Sequence, residues 1–290
     1  MALSDRCADL SRAAGEPLAG TATTAERWLL IEVPGSWPRD VASGDGLPEG
    51  ARDAVAAWRA RAFAPRRVLF VRRPGRSAAR LRAFVVRADE AETEVRRLTF
   101  ADHSELAGAD FDVLGEPVEA QLVLVCAHGS RDACCALRGT AVFGALETRL
   151  GEEELWMSSH HGGHRFAANV LVLPAGLHFG RVEPEDALFL VARALAGRIE
   201  LGNYRGRTCY EPLVQAAEHV VRSVTGFDGV GELRLGRVRG RAVRFRGWDG
   251  SEHEAVVEFA RGPAVPASCG DEPEAQPLVR AHLGSAEITN

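Results

Sequence analysis

Apolar residues along the first third of the chain come in short unbroken runs. RWLLIEV (27–33) and RRVLFVRRP (66–74) read as buried strands ended by Pro and Gly, and RAFVVRA (82–88) with TEVRRLTF (93–100) reads as a strand pair. Between the first two, GARDAVAAWRARAF (50–63) sets Ala54, Ala57, Trp58 and Arg61 at helical spacing. The order is β, α, β, β, β, after a small polar lead-in of about 20 residues that reads as a loose segment or a short helix.

A similar order follows. QLVLVCAHGS (121–130) is a buried strand running into a loop, and Thr140 as N-cap predicts a helix over AVFGALETRLG (141–151). LWMSS (155–159) is a strand leading directly into HHGGH (160–164). NVLVLPAGLHFGRV (169–182) predicts a hairpin about Pro174-Ala-Gly176. EPEDALFLVARALAGR (183–198) is a helix with acidic residues in its first turn and Arg198 at its end, both favourable to the helix dipole. RWLLIEVPGSWPRD (27–40) echoes QLVLVCAHGSRD (121–132), which either a shared ancestral unit or the general pattern of α/β domains would give. The remainder holds a helix, PLVQAAEHVVRSV (212–224), strands near 232–238, 241–248 and 253–260, and a Pro- and acid-rich tail around PASCGDEPEAQP (266–277). The expectation is an α/β protein in three parts: a unit over 1–115, a second over 116–200, and a small α+β segment over 201–290.

Composition narrows the function classes. With 46% hydrophobic and 26% charged residues, the 290-residue chain can bury a core, which excludes wholesale disorder and fibrous repeats. Lysine is absent, so the 35 basic residues are all arginine; against 40 acidic residues the net charge is −5, which argues against nucleic acid as a partner. The basic run Arg234, Arg237, Arg239, Arg241, Arg244 and Arg246 reads as a solvated strand face, with docking of an acidic partner as the alternative. No apolar run approaches the ~18 residues of a membrane span. The first residues carry Asp5 and Asp9 and no apolar core, so a cytoplasmic protein with no membrane contact is expected.

Six cysteines are too few for a disulfide scaffold, and they cluster: Cys126, Cys134 and Cys135 fall within ten residues. His160, His161 and His164 fall within five, whereas residues 8–102 hold neither Cys nor His. Cys126 and Cys135 are separated by eight intervening residues in a loop after one strand; His160 and His164 are separated by three in a Gly-containing loop after another. Strand ends of an α/β sheet bring such loops together, so two thiolates and two imidazoles converge, enough for a metal site. Gly129, Gly162 and Gly163 would let backbone approach and donate N–H bonds to sulfur. Zinc accepts Cys2His2 tetrahedrally, and a [2Fe–2S] cluster accepts two histidines among its four ligands. The eight-residue loop is long for a zinc knuckle and suits a larger cluster. Cys134 competes with Cys135 as ligand; Arg138 and Arg165 are candidates to hydrogen-bond around the centre, and each is equally readable as a surface charge. His161 is expected to face solvent or the surroundings of the centre, His128 to be a loop hydrogen-bonder, and His178, Cys209 and Cys269 to be packed residues.

HHGGHRFAANVLVLPAGLHFGRV (160–182) is similar to the second ligand region of thioredoxin-like [2Fe–2S] ferredoxins, where Cys-x-Gly-x-Cys precedes Asn-Val and a Pro-x-Gly hairpin. Their two Cys positions match His160 and His164, and Gly162 matches the Gly; their Gly-Pro is replaced by Ala167-Ala168. VCAHGSRDACCALRG together with SHHGGHRFAANVLVLPAG resembles the sucrase/ferredoxin-like family over roughly residues 120–200, and RGRTCYEP and SCG in the flanks fit as weaker motifs. The resemblance implies a thioredoxin-like ferredoxin domain whose [2Fe–2S] cluster is held by Cys126, Cys135, His160 and His164. It implies an electron-transfer protein with redox coupled to protonation, served by a separate reductase or acceptor, and an electron carrier rather than a stand-alone enzyme. A structural zinc site in an interaction protein is the alternative reading, and a thiol oxidoreductase using Cys134 or Cys135 is a third. No carboxylate pair is placed for glycoside hydrolysis.

Overall fold

Apolar runs become strands, buried on both faces at the centre of the sheet and exposed toward one edge. In the computed structural model, which describes residues 6–75 and 79–284, these are β1 (Arg27–Glu32), β2 (Arg66–Arg72), β3 (Leu81–Ala88), β4 (Thr93–Phe100) and a short β5 (Glu116–Pro117). They are followed by β6 (Leu122–Cys126), β7 (Leu155–Ser158), β8 (Val170–Leu173), β9 (Leu177–Phe179) and β10 (Tyr204–Arg207). All ten join one sheet in the order β10-β9-β8-β6-β7-β2-β1-β3-β4-β5.

The sheet repeats itself. β1 lies parallel to β2 and antiparallel to β3, which pairs with β4; β6 lies parallel to β7 and antiparallel to β8, which pairs with β9. The first parallel pair is bridged by α2 (Glu49–Arg59) and the second by α3 (Ala133–Glu147). The two sets meet where β2 pairs antiparallel with β7 through Val71↔Ser158 and Arg72↔Met157. One face packs Leu29, Ile31, Val123 and Val125 under helix residues such as Trp58, Phe143 and Leu190, the last from α4 (Pro184–Leu195). Trp28, Leu30, Leu124 and Trp156 form a second core on the opposite face.

Helix α1 (Cys7–Ala13) precedes the sheet. After it, α5 (Pro212–Thr225) buries Val214, Ala217 and Val221 against a four-stranded antiparallel sheet of β11 (Leu233–Arg239), β12 (Ala242–Gly247), β13 (Glu252–Val265) and β14 (Glu274–Leu283). The Pro- and acid-rich tail expected after residue 265 thus ends in a strand, which pairs with β13 from Ala255 to Val265 across an irregularity between Arg261 and Ala264. Glu218 and Arg222 form a 3.0 Å ion pair with both side chains almost fully buried, and Tyr204 of β10 donates to Glu218 at 2.9 Å, tying α5 to the large sheet. The arginines of β11 and β12 face outward. The fold is mixed α/β, with five α-helices among the described residues, none long and apolar enough to cross a membrane.

Candidate metal centre

Cys126 ends β6, and Cys135 sits in the first turn of α3 rather than in a loop. The helix begins seven residues before the expected cap at Thr140, because Asp132 is the better cap: its side chain accepts the Cys134 backbone N–H at 2.8 Å. Gly139 is what lets α3 close on β6. A Cβ there would lie 1.9 Å from the Cys126 carbonyl oxygen, so only glycine permits this approach. Since Gly139 and Cys135 are four apart, they share the helix face that presses on the end of β6.

His160 follows β7, and His164 opens a short 3-10 turn reached through Gly162 and Gly163, at φ 105° and 76°. Both glycines are required sterically as well: a Cβ on Gly162 would meet Thr23 Oγ1 at 2.2 Å, and one on Gly163 would meet Arg205 Nη2 at 2.5 Å. Buried Arg205 organises this loop from below, donating to the Gly162 carbonyl at 2.9 Å and to Asn169 Oδ1 at 2.7 Å. From the first half of the sheet, Phe70 O accepts the Ser159 N–H at 2.7 Å, and Pro38 O accepts from His128 Nε2 at 2.9 Å. His128 Nδ1 in turn accepts the His160 N–H at 3.1 Å, the loop role expected of it.

Four donors come together here. Cys126 Sγ and Cys135 Sγ each lie 3.8 Å from His160 Nδ1, and Cys135 Sγ lies 3.8 Å from His164 Nδ1; the two imidazoles stack with centroids 3.8 Å apart. Asp132 is close enough to Cys135 and His164 to join them around one ion. The pocket is prepared for ligation. The neighbouring Cys135 thiol and the backbone N–H groups of His128 and His161 favour a thiolate at Cys126, which titrates below its ordinary range while Cys135, facing that charge, is held well above. Burial lowers both histidines, His164 to about 4 and His160 well below its usual value, so their nitrogens are neutral and free to donate lone pairs. The sulfur-directed N–H groups thus come from His128 and His161, not from the three glycines. Beside His160 a cavity of about 210 Å³ opens between Arg39, Arg59, Arg67 and Arg131.

Other candidates lie elsewhere. Of the two places expected for His161, solvent or the surroundings of the centre, the structure gives the second: the ring is fully buried with its Nδ1 3.0 Å from His178 Nε2, because Thr23 and Arg205 close over that pair. Arg165 bonds Glu16 at 2.8 Å, and Arg138 pairs with Asp9, so both guanidiniums turn to carboxylates near α1. Cys134 points away from the histidines, its sulfur 3.4 Å from that of Cys269. Sequence spacing missed Asp132, Arg205, Cys7 and Cys269. The usable signal was the Cys134-Cys135 pair: adjacent residues on a helix face different neighbours.

A family model described as sucrase/ferredoxin-like matches residues 18–206. Among curated proteins, the chain is 36% identical over 106 residues to altered inheritance of mitochondria protein 32 of Eremothecium gossypii, covering 32% of this chain and 34% of that protein. It is 33% identical over 101 residues to the protein of the same name from Meyerozyma guilliermondii, covering 31% and 36%, and 34% identical over 100 residues to that of Clavispora lusitaniae, covering 32% and 37%. The chain thus spans about a third of the length of these relatives. No solved structure matches. These matches correct the expectation of an iron–sulfur electron carrier: the relatives are named for altered inheritance of mitochondria and not for electron transfer. The physical reason is that a thiolate–imidazole donor set favours a metal without fixing what the metal does. What the match over most of the sheet does establish is kinship, and the chain belongs to the sucrase/ferredoxin-like family.

Proposed function

We propose that this chain is a metal-binding protein in which Cys126, Cys135, His160 and His164 hold a metal centre at the edge of a thioredoxin-like unit. The observation that carries this is the set of sulfur–nitrogen separations of 3.8 Å in a buried pocket. With Zn–S near 2.3 Å and Zn–N near 2.0–2.1 Å, a tetrahedral ion needs an S···N edge of about 3.6 Å. Three separations lie near that edge, but Cys126, Cys135 and His160 converge as one group while His164 converges with Cys135 and Asp132, so a single zinc ion would need Cys126 and His164 to draw together, and the family resemblance favours a [2Fe–2S] cluster. Bound there, the metal supplies a cross-link. The chain's own residues do the rest: Cys126 is stabilised as thiolate by backbone N–H groups, the histidines are kept unprotonated by burial, and Gly139 sets the reach of Cys135. Anaerobic purification followed by iron, sulfide and zinc analysis tests the proposal. Cys126→Ala and His160→Ala should each lose one metal centre per chain relative to the unmodified protein. Iron and sulfide in equal amounts would identify the cluster, and zinc alone the single ion. Unchanged metal content in both folded variants would refute it.

A further inference from the structure

A second cluster of thiols lies on the other flank of α3. Successive helical residues point about 100° apart, so Cys134 and Cys135 cannot serve one centre from the same turn. Cys135 faces the histidines. Cys134 faces Cys7 of α1 and Cys269, which the loop between β13 and β14 delivers from the far end of the fold. The sulfurs of Cys134 and Cys269 are 3.4 Å apart, and those of Cys269 and Cys7 are 3.6 Å apart. Asp132 Oδ1 lies 3.5 Å from the Cys269 sulfur and 3.8 Å from that of Cys7. Cys7, Cys134 and Asp132 are buried, and the four donor atoms all lie within 4.8 Å of one another.

These separations are the edges of a tetrahedron. With Zn–S near 2.3 Å and Zn–O near 2.0–2.2 Å, edges of about 3.8 Å between sulfurs and about 3.5 Å between sulfur and oxygen are required. Charge points the same way. Asp132 accepts hydrogen bonds from the backbone of Cys134 and Cys269, both at 2.8 Å, and from Ser268 Oγ at 2.7 Å, but among the described residues no arginine pairs with it. A buried carboxylate facing three thiols lacks a cation. Nor does a disulfide account for the arrangement, since it would join two sulfurs and leave the third and the carboxylate unexplained.

We propose that Cys7, Cys134, Cys269 and Asp132 form a second metal site, which takes a thiophilic divalent cation such as zinc and clamps α1 and the β13–β14 loop onto the first turn of α3. Binding replaces the thiol protons by the metal, and those protons leave to solvent, with no change of oxidation state. The site shares no thiol with the first centre and stands whether or not that centre is occupied.

The test uses the full chain, stripped of metal by chelator under anaerobic reducing conditions. Cobalt(II) is titrated into the double variant Cys126→Ser, Cys135→Ser, which retains only the second thiol cluster. One equivalent should bind with intense thiolate-to-cobalt absorption, and adding Cys269→Ser should weaken binding at least tenfold. In the unmodified chain, one further equivalent of zinc beyond any held by Cys126 and Cys135 should slow iodoacetamide alkylation of Cys269, read by peptide mass, at least tenfold. This second readout decides the matter if the double variant does not fold. Alkylation of Cys269 at the same rate with and without zinc, a folded double variant that takes no cobalt, or a Cys134–Cys269 disulfide persisting under reductant would each overturn the proposal.

Discussion

Replacing Gly139 by alanine should loosen the first centre and destabilise the fold, although alanine is the better helix former. The added Cβ would lie 1.9 Å from Cys126 O, 2.8 Å from its carbonyl carbon and 3.3 Å from Ala127 Cα. All three are backbone atoms, so no rotamer change relieves the clash. Reaching the 3.4 Å at which ordinary contact begins requires α3 to retreat from β6 by the difference, 3.4 − 1.9 = 1.5 Å. That is about three times the ~0.5 Å tolerance of a functional constellation, and Cys135 rides on the same helix face. Overpacking costs about 1–3 kcal/mol, and the helix propensity gained by Gly→Ala returns about 1 kcal/mol, so the expected net loss is about 0–2 kcal/mol. Gly144 lies in the same helix with nothing within 4 Å of its would-be Cβ, and Gly144→Ala should stabilise by about 0.5–1 kcal/mol. Urea unfolding followed by tryptophan fluorescence, with metal analysis of each protein, compares the two. If Gly139→Ala gained as much stability as Gly144→Ala and kept its full metal content, the proposed role of this contact would be wrong.

Three further outcomes are expected. The metal-free protein should lose stability as pH falls below about 6.5, because burial holds His164 at about 4 and His161 at about 3. The unfolded chain then takes up protons first, and each pH unit through that window costs up to ~1.4 kcal/mol per histidine; a urea midpoint constant between pH 7 and pH 5 would contradict this. Arg222→Met strands Glu218 as a buried charge and should cost about 3–5 kcal/mol, much of it recovered in the Glu218→Gln, Arg222→Met double variant, as urea titrations of both would show. Asp132→Ala removes the α3 cap and should cost the metal-free chain about 0.5–2 kcal/mol by the same measurement, whereas Asp132→Asn, which still caps, should cost less than half of that.

What could be read from the sequence was local. β1, β2, β6 and β8 are unbroken apolar runs, and α2, α4 and α5 carry helical spacing, so each declares itself without its neighbours. The Cys and His motifs are equally local, and the structure brings Cys126, Cys135, His160 and His164 together. The start of α3 was obscured because Cys-Cys-Ala-Leu-Arg-Gly has no strong helical periodicity and its cap, Asp132, looks like one more loop residue. Whether His161 faced solvent or the surroundings of the centre stayed open because its burial depends on Thr23 and Arg205, which are far away in sequence. Cys7 and Cys269 are 262 positions apart, and no local pattern announces such a meeting.

The meeting of β2 with β7 has a consequence for solubility. Without it, each half of the large sheet would end in a strand with unpaired N–H and C=O groups, the template on which chains aggregate. These two strands hold corresponding places in the two halves, and they pair antiparallel through Val71↔Ser158 and Arg72↔Met157, so each half covers that end of the other's open edge. An isolated copy of either half would expose that edge and could hide it by pairing with a second copy about a two-fold axis. The chain carries such a pairing within itself, so closure of this edge does not depend on concentration.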